Sequence, residues 1–173
     1  MMSERPRKQS VFILVGPKGS GKTYIGALLE RRFSINFFRA EAFLLENYGK
    51  AELASRQLEK HGFPLEEAAI DQILANESAV IYEVTGSSEY FPEVLRNLRS
   101  KYEVKLVRIR CPLGSCYDRV KQRDQTDQIP VSDTAVKTIN EKAAKATFAW
   151  DLEIDNSGPA SNETIVSLFR TLL

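Results

Sequence analysis

The chain has 173 residues, of which 43% are hydrophobic, so it is long enough to bury one substantial core. Its 24 Lys and Arg residues nearly balance 23 Asp and Glu residues, and the net charge of +1 excludes the broadly basic surface of a duplex-binding protein. The apolar runs are too short to span a bilayer, and two cysteines form no disulfide framework. We therefore expect one domain, 1–173, with a cytoplasmic location as the default.

Short apolar runs alternate with amphipathic stretches along the chain, which is typical of parallel βαβ units. The predicted strands are 11–15, 36–40, 79–84, 102–109 and 152–155. The predicted helices are 22–33, a helix that begins at Pro64, 88–101, and 162–172 with Ser161 as its N-cap. Glu66 and Glu67 would then lie near the positive end of the second helix dipole. The polar stretch 124–132 is predicted to be a surface excursion.

The first predicted strand is followed by a glycine-rich segment, Gly16-Pro17-Lys18-Gly19-Ser20-Gly21-Lys22-Thr23, which matches G-x4-G-K-[ST] in full. Glycines let consecutive backbone N–H groups face an anion, and the following helix adds the positive end of its dipole. Lys22 can reach the β- and γ-phosphates, and the Thr23 hydroxyl can coordinate a bridging Mg²⁺. The segment therefore predicts a nucleotide polyphosphate site. The alternative is an ordinary glycine turn, which the flanking strand and helix disfavour.

Around this motif the chain resembles the P-loop small-molecule kinases, the group that includes adenylate, shikimate and gluconate kinases. The layout agrees over nearly the whole chain, although only the segment 16–23 is specific. The resemblance implies a three-layer α/β P-loop NTPase fold, in which helices flank a five-stranded parallel sheet of order 2-3-1-4-5. It also implies ATP and Mg²⁺ as cofactors, an acceptor-binding helical region at about 41–76 and a short lid at about 124–132.

The segment after the fourth strand resembles the part of these kinases in which arginines approach the nucleotide. Arg119 and Arg123 are four residues apart, so a helix would place both on one face, where they can contact a polyphosphate. The resemblance implies a catalytic role for both, and a solvated helix end is the alternative. Cys111 and Cys116 in the same segment are predicted to be buried thiols rather than a metal pair, because no second pair exists.

Two further features follow the third and fifth strands. Glu83 is an acid inside an apolar run, and because a buried charge is costly without a partner, we expect it to bind the metal or to orient the acceptor hydroxyl. A position at the sheet surface under a helix is the alternative. The loop that contains Gly158 and Pro159 resembles the kinase segment whose backbone lies against adenine, and an ordinary turn is the alternative.

The predicted acceptor side departs from the shikimate kinase pattern. Those enzymes carry two acids, D-x-D, at the end of the second strand, whereas this chain has Arg39-Ala40-Glu41, which argues against shikimate itself. Arg39 suits an acceptor with a carboxylate or phosphate, and Glu41 can hold a hydroxyl. Gly86 lies in the segment that resembles the acceptor-contacting glycine segment of the family.

These features predict an ATP-dependent phosphotransferase that moves the γ-phosphoryl group to a hydroxyl or phosphate of a small molecule. A GTPase is disfavoured because the N-K-x-D guanine motif is absent. Two alternatives stay open: a degenerate kinase that binds nucleotide for regulation without transfer, and a polynucleotide-end kinase. The near-neutral charge speaks against a nucleic-acid partner. We expect no membrane partner and either a monomer or a homodimer.

Overall fold

The computed structural model describes residues 8–48, 57–123, 129, 131–158 and 160–173. The strands in this part of the chain are β1 (Ser10–Val15), β2 (Asn36–Phe38), β3 (Ala79–Val84), β4 (Glu103–Arg110) and β5 (Leu152–Asp155). The helices are α1 (Lys22–Phe33), α2 (Ala40–Asn47), α3 (Gln57–Leu74), α4 (Phe91–Lys101), α5 (Leu113–Gln122), α6 (Asp133–Lys145) and α7 (Asn162–Arg170). Over the described ranges, no helix combines the length and the hydropathy needed to cross a bilayer.

The five strands form one parallel sheet in the order β2-β3-β1-β4-β5, which confirms the predicted topology. Val15 at the end of β1 lies opposite Val84 of β3 and Arg108 of β4. Because parallel strands run in one direction, the segments that follow β1, β3 and β4 meet at the same edge of the sheet. This edge carries the glycine-rich segment and therefore the candidate site.

Both faces of the sheet are buried under helices. Along β1 the side chains alternate between the faces, so Val11 and Ile13 pack with residues of α3 and α4, whereas Phe12 and Leu14 pack with residues of α1 and α7. All four of these β1 side chains are at most 2% exposed. The result is the predicted three-layer α/β architecture.

Several predicted element boundaries are wrong: α4 begins at Phe91 rather than near residue 88, and α7 ends at Arg170 rather than at residue 172. The second strand was expected to reach residue 40, but β2 ends at Phe38 and α2 begins at Ala40. Pro64 was expected to begin a helix, but it lies inside α3. An internal proline removes one backbone hydrogen bond. The helix nevertheless continues where it packs on α2: a Cβ added at Gly62 would lie 3.5 Å from a methyl carbon of Leu44.

Helix α6 was not predicted, although its start has a recognisable cap. The Ser132 hydroxyl oxygen accepts a hydrogen bond from the backbone N–H of Ala135 at 3.2 Å. The helix follows directly on the polar stretch 124–132, which obscured its apolar stripe. Residues 124–128 and 130 of the predicted lid lie outside the described residues. At the C-terminal helix, by contrast, the predicted cap is confirmed, since the Ser161 hydroxyl accepts from the Thr164 N–H at 3.2 Å.

Candidate active site

The phosphate loop, residues 16–21, joins β1 to α1 and has a backbone suited to anion binding. Gly19 and Gly21 have φ values of 85° and 97°, in the left-handed region that favours glycine. A Cβ on Gly19 would also collide with the carbonyl oxygen of Cys116 in α5. No side chain caps α1 at Gly21. The first N–H groups of this helix are therefore available to a phosphate.

Lys22 is buried at the start of α1 and is 8% exposed. Its Nζ donates hydrogen bonds to the carbonyl oxygens of Gly16 and Pro17, both at 2.8 Å. Burial lowers the pKa of Lys22 to about 8, and the negative charge of Glu83 opposes this effect. An ammonium that has lost most of its hydration interacts strongly with a nearby anion. Lys22 is therefore well placed to bind a polyphosphate in the loop.

Thr23 and Glu83 form a pair of oxygen ligands next to the phosphate loop. The Thr23 hydroxyl donates to the Glu83 carboxylate, with oxygen–oxygen distances of 3.0 and 3.2 Å. Glu83 reaches this position because β3 adjoins β1, where it lies opposite Leu14. Burial raises the pKa of Glu83, and the charge of Lys22 acts against this shift. Since Mg²⁺ takes one or two protein oxygens and completes its shell with water and phosphate, this pair fits a magnesium ion.

Two buried asparagines hold the backbone of the phosphate loop, and neither was predicted from the sequence. The Asn140 side chain bonds both backbone groups of Lys18: its Oδ1 accepts from the N–H at 2.8 Å and its Nδ2 donates to the carbonyl at 3.0 Å. The Asn156 Nδ2 donates to the Ser20 carbonyl at 2.8 Å. One sequence feature could have identified Asn140 as a site residue, because it is a polar residue on the apolar stripe of α6. The only sequence feature that pointed to Asn156 was its position directly after β5.

The two predicted arginines do not share a helix face. Helix α5 ends at Gln122 and Arg123 has extended backbone. Residues four apart share a face only within a helix, so the spacing does not place Arg123 beside Arg119. Arg119 Nη2 donates to the Asn156 carbonyl at 3.1 Å, and its Nη1 lies 3.5 Å from the Gly19 carbonyl. Arg123 instead lines the neighbouring cleft. Arg119 thus braces the phosphate loop, while Arg123 faces the space for a ligand.

The loop after β5 reaches the phosphate loop through Asn156. Gly158 is exposed, and a Cβ added to it would have no neighbouring atom within 4 Å. Pro159 lies outside the described residues. The predicted adenine contact of this loop stays a prediction.

The two cysteines are both free thiols, but only one is fully buried. Cys116 in α5 is buried, whereas Cys111 is half-buried, so the expected burial is wrong for Cys111. Burial raises the pKa of the Cys116 thiol to about 12, which keeps it protonated at neutral pH. Cys116 therefore acts as a packing residue beneath the phosphate loop.

A cleft of about 980 Å³ opens beside the phosphate loop. Its far half, which we term the acceptor half, is lined by α2, α3 and the segment after β3. Glu41 and Gly86 line this half, and Glu41 forms an ion pair with Lys18. Gly86 has a φ of 76°, and a Cβ there would lie 2.6 Å from a methyl carbon of Val15. Arg39 does not line the cleft and is exposed at the N-cap of α2.

Glu66 of α3 also lines the acceptor half, although no site role was predicted for it. It is 5% exposed and accepts a hydrogen bond from the hydroxyl of Tyr82, which is fully buried. Burial raises the pKa of Glu66 to about 7. The prediction that Glu66 complements a helix N-terminus is wrong, because α3 includes residues before Pro64.

Comparisons with known proteins agree with this geometry at the level of the fold. No family model and no curated relative matches the sequence. A putative kinase from Chloroflexus aurantiacus matches with a TM-score of 0.75 at 14% identity, covering 96% of this chain and 100% of that one. Shikimate kinase from Bacteroides thetaiotaomicron matches with a TM-score of 0.67 at 18% identity, over 94% and 97% of the two chains. A gluconokinase from Sinorhizobium meliloti matches with a TM-score of 0.64 at 18% identity, over 95% and 94%. The protein therefore has the fold of the P-loop small-molecule kinases.

Proposed function

We propose that the protein is a kinase that transfers the γ-phosphoryl group of ATP to a hydroxyl of a small-molecule acceptor. The observation that carries this proposal is the position of the phosphate loop beside a cleft of about 980 Å³ with a distinct acceptor half. A nucleotide site that serves only as a switch needs no second compartment of this size. The fold shared with shikimate kinase and gluconokinase supports the same reaction class.

The phosphate end of the cleft supplies positioning and positive charge. The N–H groups at the start of α1 and the Lys22 ammonium bind the β- and γ-phosphates, and Arg123 approaches the same group from the end of α5. Thr23 and Glu83 would hold Mg²⁺, which neutralises the charge of the phosphates when bound. Arg119 acts through the loop backbone and is a positioning residue.

Glu41 is the proposed proton acceptor. It lines the acceptor half and contacts Lys18 of the phosphate loop, so it lies where the two halves meet. In the transfer, the acceptor oxygen forms a bond to the γ-phosphorus as the bond from phosphorus to the β,γ-bridging oxygen breaks. ADP leaves with that electron pair, and the hydroxyl proton passes to Glu41. Positioning and charge neutralisation supply most of the acceleration.

The test is acceptor-dependent release of ADP. The purified protein is incubated with ATP, Mg²⁺ and pools of hydroxyl compounds, with one pool made of oligonucleotides that carry a free 5′-hydroxyl. We expect release only with a small-molecule pool, and none from Lys22→Ala prepared in parallel, which excludes a contaminating kinase. ATP binding without release from any pool would contradict transfer and favour a regulatory nucleotide-binding module. Release with the oligonucleotides alone would instead favour a polynucleotide-end kinase.

A further inference from the structure

The two halves of the cleft carry opposite charge. Lys18 lies in the phosphate loop and Lys22 at the start of α1, while Arg123 follows α5 and Lys142 lies in α6, on the β4 side of the loop. The acceptor half, on the β3 side, is lined by the carboxylates of Glu41, Glu59, Glu66 and Glu89, and Glu83 lies where it meets the phosphate end. Of the described residues that line the acceptor half, none is Lys, Arg or His. A carboxylate or phosphate on the acceptor would therefore face repulsion here.

The transfer reaction leaves Glu59, Glu66 and Glu89 unused, and Glu66 is the buried one of these three. Its carboxyl is withdrawn from water and has one hydrogen-bonding partner in the described structure, the neutral hydroxyl of Tyr82. The hydrogen bond from Tyr82 lowers the Glu66 pKa, but a neutral partner compensates a buried negative charge only in part. Burial is the main cause that raises the Glu66 pKa, and repulsion from Glu41 and Glu67 adds to it. A positive group placed beside Glu66 would relieve both effects.

Three of the other residues that line this half carry hydroxyls. Thr85, Ser87 and Ser88 follow β3 and line the same half of the cleft. The Ser88 hydroxyl donates to Glu59 at 2.9 Å, which ties this segment to α3. Hydroxyl side chains both donate and accept, so they match an acceptor with several hydroxyl groups.

We propose that the acceptor is an amino alcohol or amino sugar whose protonated amine is bound by Glu66, while one of its hydroxyls faces Glu41 and the phosphate loop. This inference rests on the proposed function, because it names the substrate class of the same cleft. An ammonium group has three donors and no acceptor, so it pairs with carboxylates and not with the lysines of the phosphate end.

The direct test is calorimetric binding of charge-matched compounds to the full chain in the presence of ADP and Mg²⁺. Glucosamine, 2-deoxystreptamine and serinol are compared with the amine-free compounds glucose, scyllo-inositol and glycerol, and with the acid gluconate. We expect at least one amine to bind about tenfold more tightly than its amine-free counterpart. If no amine exceeds its counterpart, or if gluconate binds best, the inference is overturned.

A Glu66 variant and a control variant test whether Glu66 causes the preference for the amine. Glu66→Gln keeps an oxygen for the Tyr82 hydroxyl but removes the charge, so we expect the preference for the amine to disappear. Glu77→Gln is the control, because Glu77 is an exposed acid just beyond the end of α3 and does not line the cleft. In the wild type, the preference for serinol over glycerol should grow as Glu66 ionises between about pH 6 and pH 8, a range in which the serinol amine stays mostly protonated. A preference that survives Glu66→Gln would contradict the role of Glu66.

Release of ADP is measured separately on the same compounds, so that the two proposals fail in different ways. If an amine binds through Glu66 but no ADP forms, the amine inference stands and the proposed transfer to that class fails. If ADP forms only with neutral or acidic compounds, the kinase function stands and the amine inference is overturned.

Discussion

The phosphate end and the acceptor half of the cleft are built in different ways. The phosphate end consists of eight consecutive residues, 16–23, that use backbone groups and one buried ammonium. The acceptor half brings together side chains from α2, α3 and the segment after β3, and the charged ones among them are all acidic. Backbone recognition of a phosphate needs a local motif, so that end is uniform among proteins that carry the motif. Side-chain recognition of an acceptor can change residue by residue on one fold, so that half carries the specificity.

The largest expected effect is at the phosphate end. Lys22→Ala removes the ammonium that contacts the phosphates, and we expect kcat/KM to fall by about a thousandfold. Circular dichroism should show an unchanged fold. Lys137→Ala is the control, because Lys137 is an exposed lysine of α6 that does not line the cleft. Full activity in the Lys22 variant would contradict the proposal that phosphoryl transfer takes place at the phosphate end.

Glu83→Gln tests whether the junction of the two halves holds magnesium. The amide retains a partner for the Thr23 hydroxyl but loses the negative charge. We expect the Mg²⁺ concentration at half-maximal rate to rise by about ten- to a hundredfold. Titration of the initial rate with Mg²⁺ measures this shift, with Glu153→Gln on β5 as the exposed control. An unchanged Mg²⁺ requirement would leave Glu83 without a metal role.

Asn140→Asp tests how far the local motif depends on α6. Aspartate still accepts from the Lys18 N–H, but it cannot donate to the Lys18 carbonyl and it buries a charge. We expect a KM for ATP about tenfold higher and a free energy of unfolding lower by about 1–3 kcal/mol. Kinetics and urea unfolding measure the two effects, and Asn76→Asp is the exposed control. If the KM for ATP and the free energy of unfolding both stayed unchanged, the phosphate loop would not depend on its hydrogen bonds to Asn140.

The last expected effect concerns the stability of the acceptor half and is confined to neutral and alkaline pH. The folded pKa of Glu66 is about 7, above its ordinary value of 4.5, so its charged form is penalised in the native state. Its contribution to stability is therefore most unfavourable above pH 7 and vanishes toward pH 4.5. Glu66→Gln should raise the free energy of unfolding by about 3 kcal/mol at pH 8 and leave it nearly unchanged at pH 4.5.

Thermal unfolding at the two pH values gives this comparison, with Glu77→Gln, three residues beyond the end of α3, as the exposed control. An equal shift at both pH values would mean that packing, and not charge, distinguishes the Glu66 variant.

Parts of the fold could be located from the sequence because their signals are local. The bounds of β3, β5 and α1 follow from short apolar runs and from the glycine-lysine motif. The course of α3 through Pro64 could not be predicted, since a proline is favoured in the first turn of a helix and disfavoured in its interior. The residues before Pro64 nevertheless remain helical where Gly62 packs near Leu44 of α2.

The sequence by itself determined the phosphate site, because a polyphosphate is bound by neighbouring backbone groups that one continuous motif supplies. Only the tertiary structure decided the character of the acceptor half. Glu41, Glu66 and Glu83 belong to three different elements, so no spacing along the chain relates them. Arg39, two residues from Glu41, lies outside the lining because α2 begins directly after it. The charge of the acceptor half is thus a product of how the helices pack on the sheet.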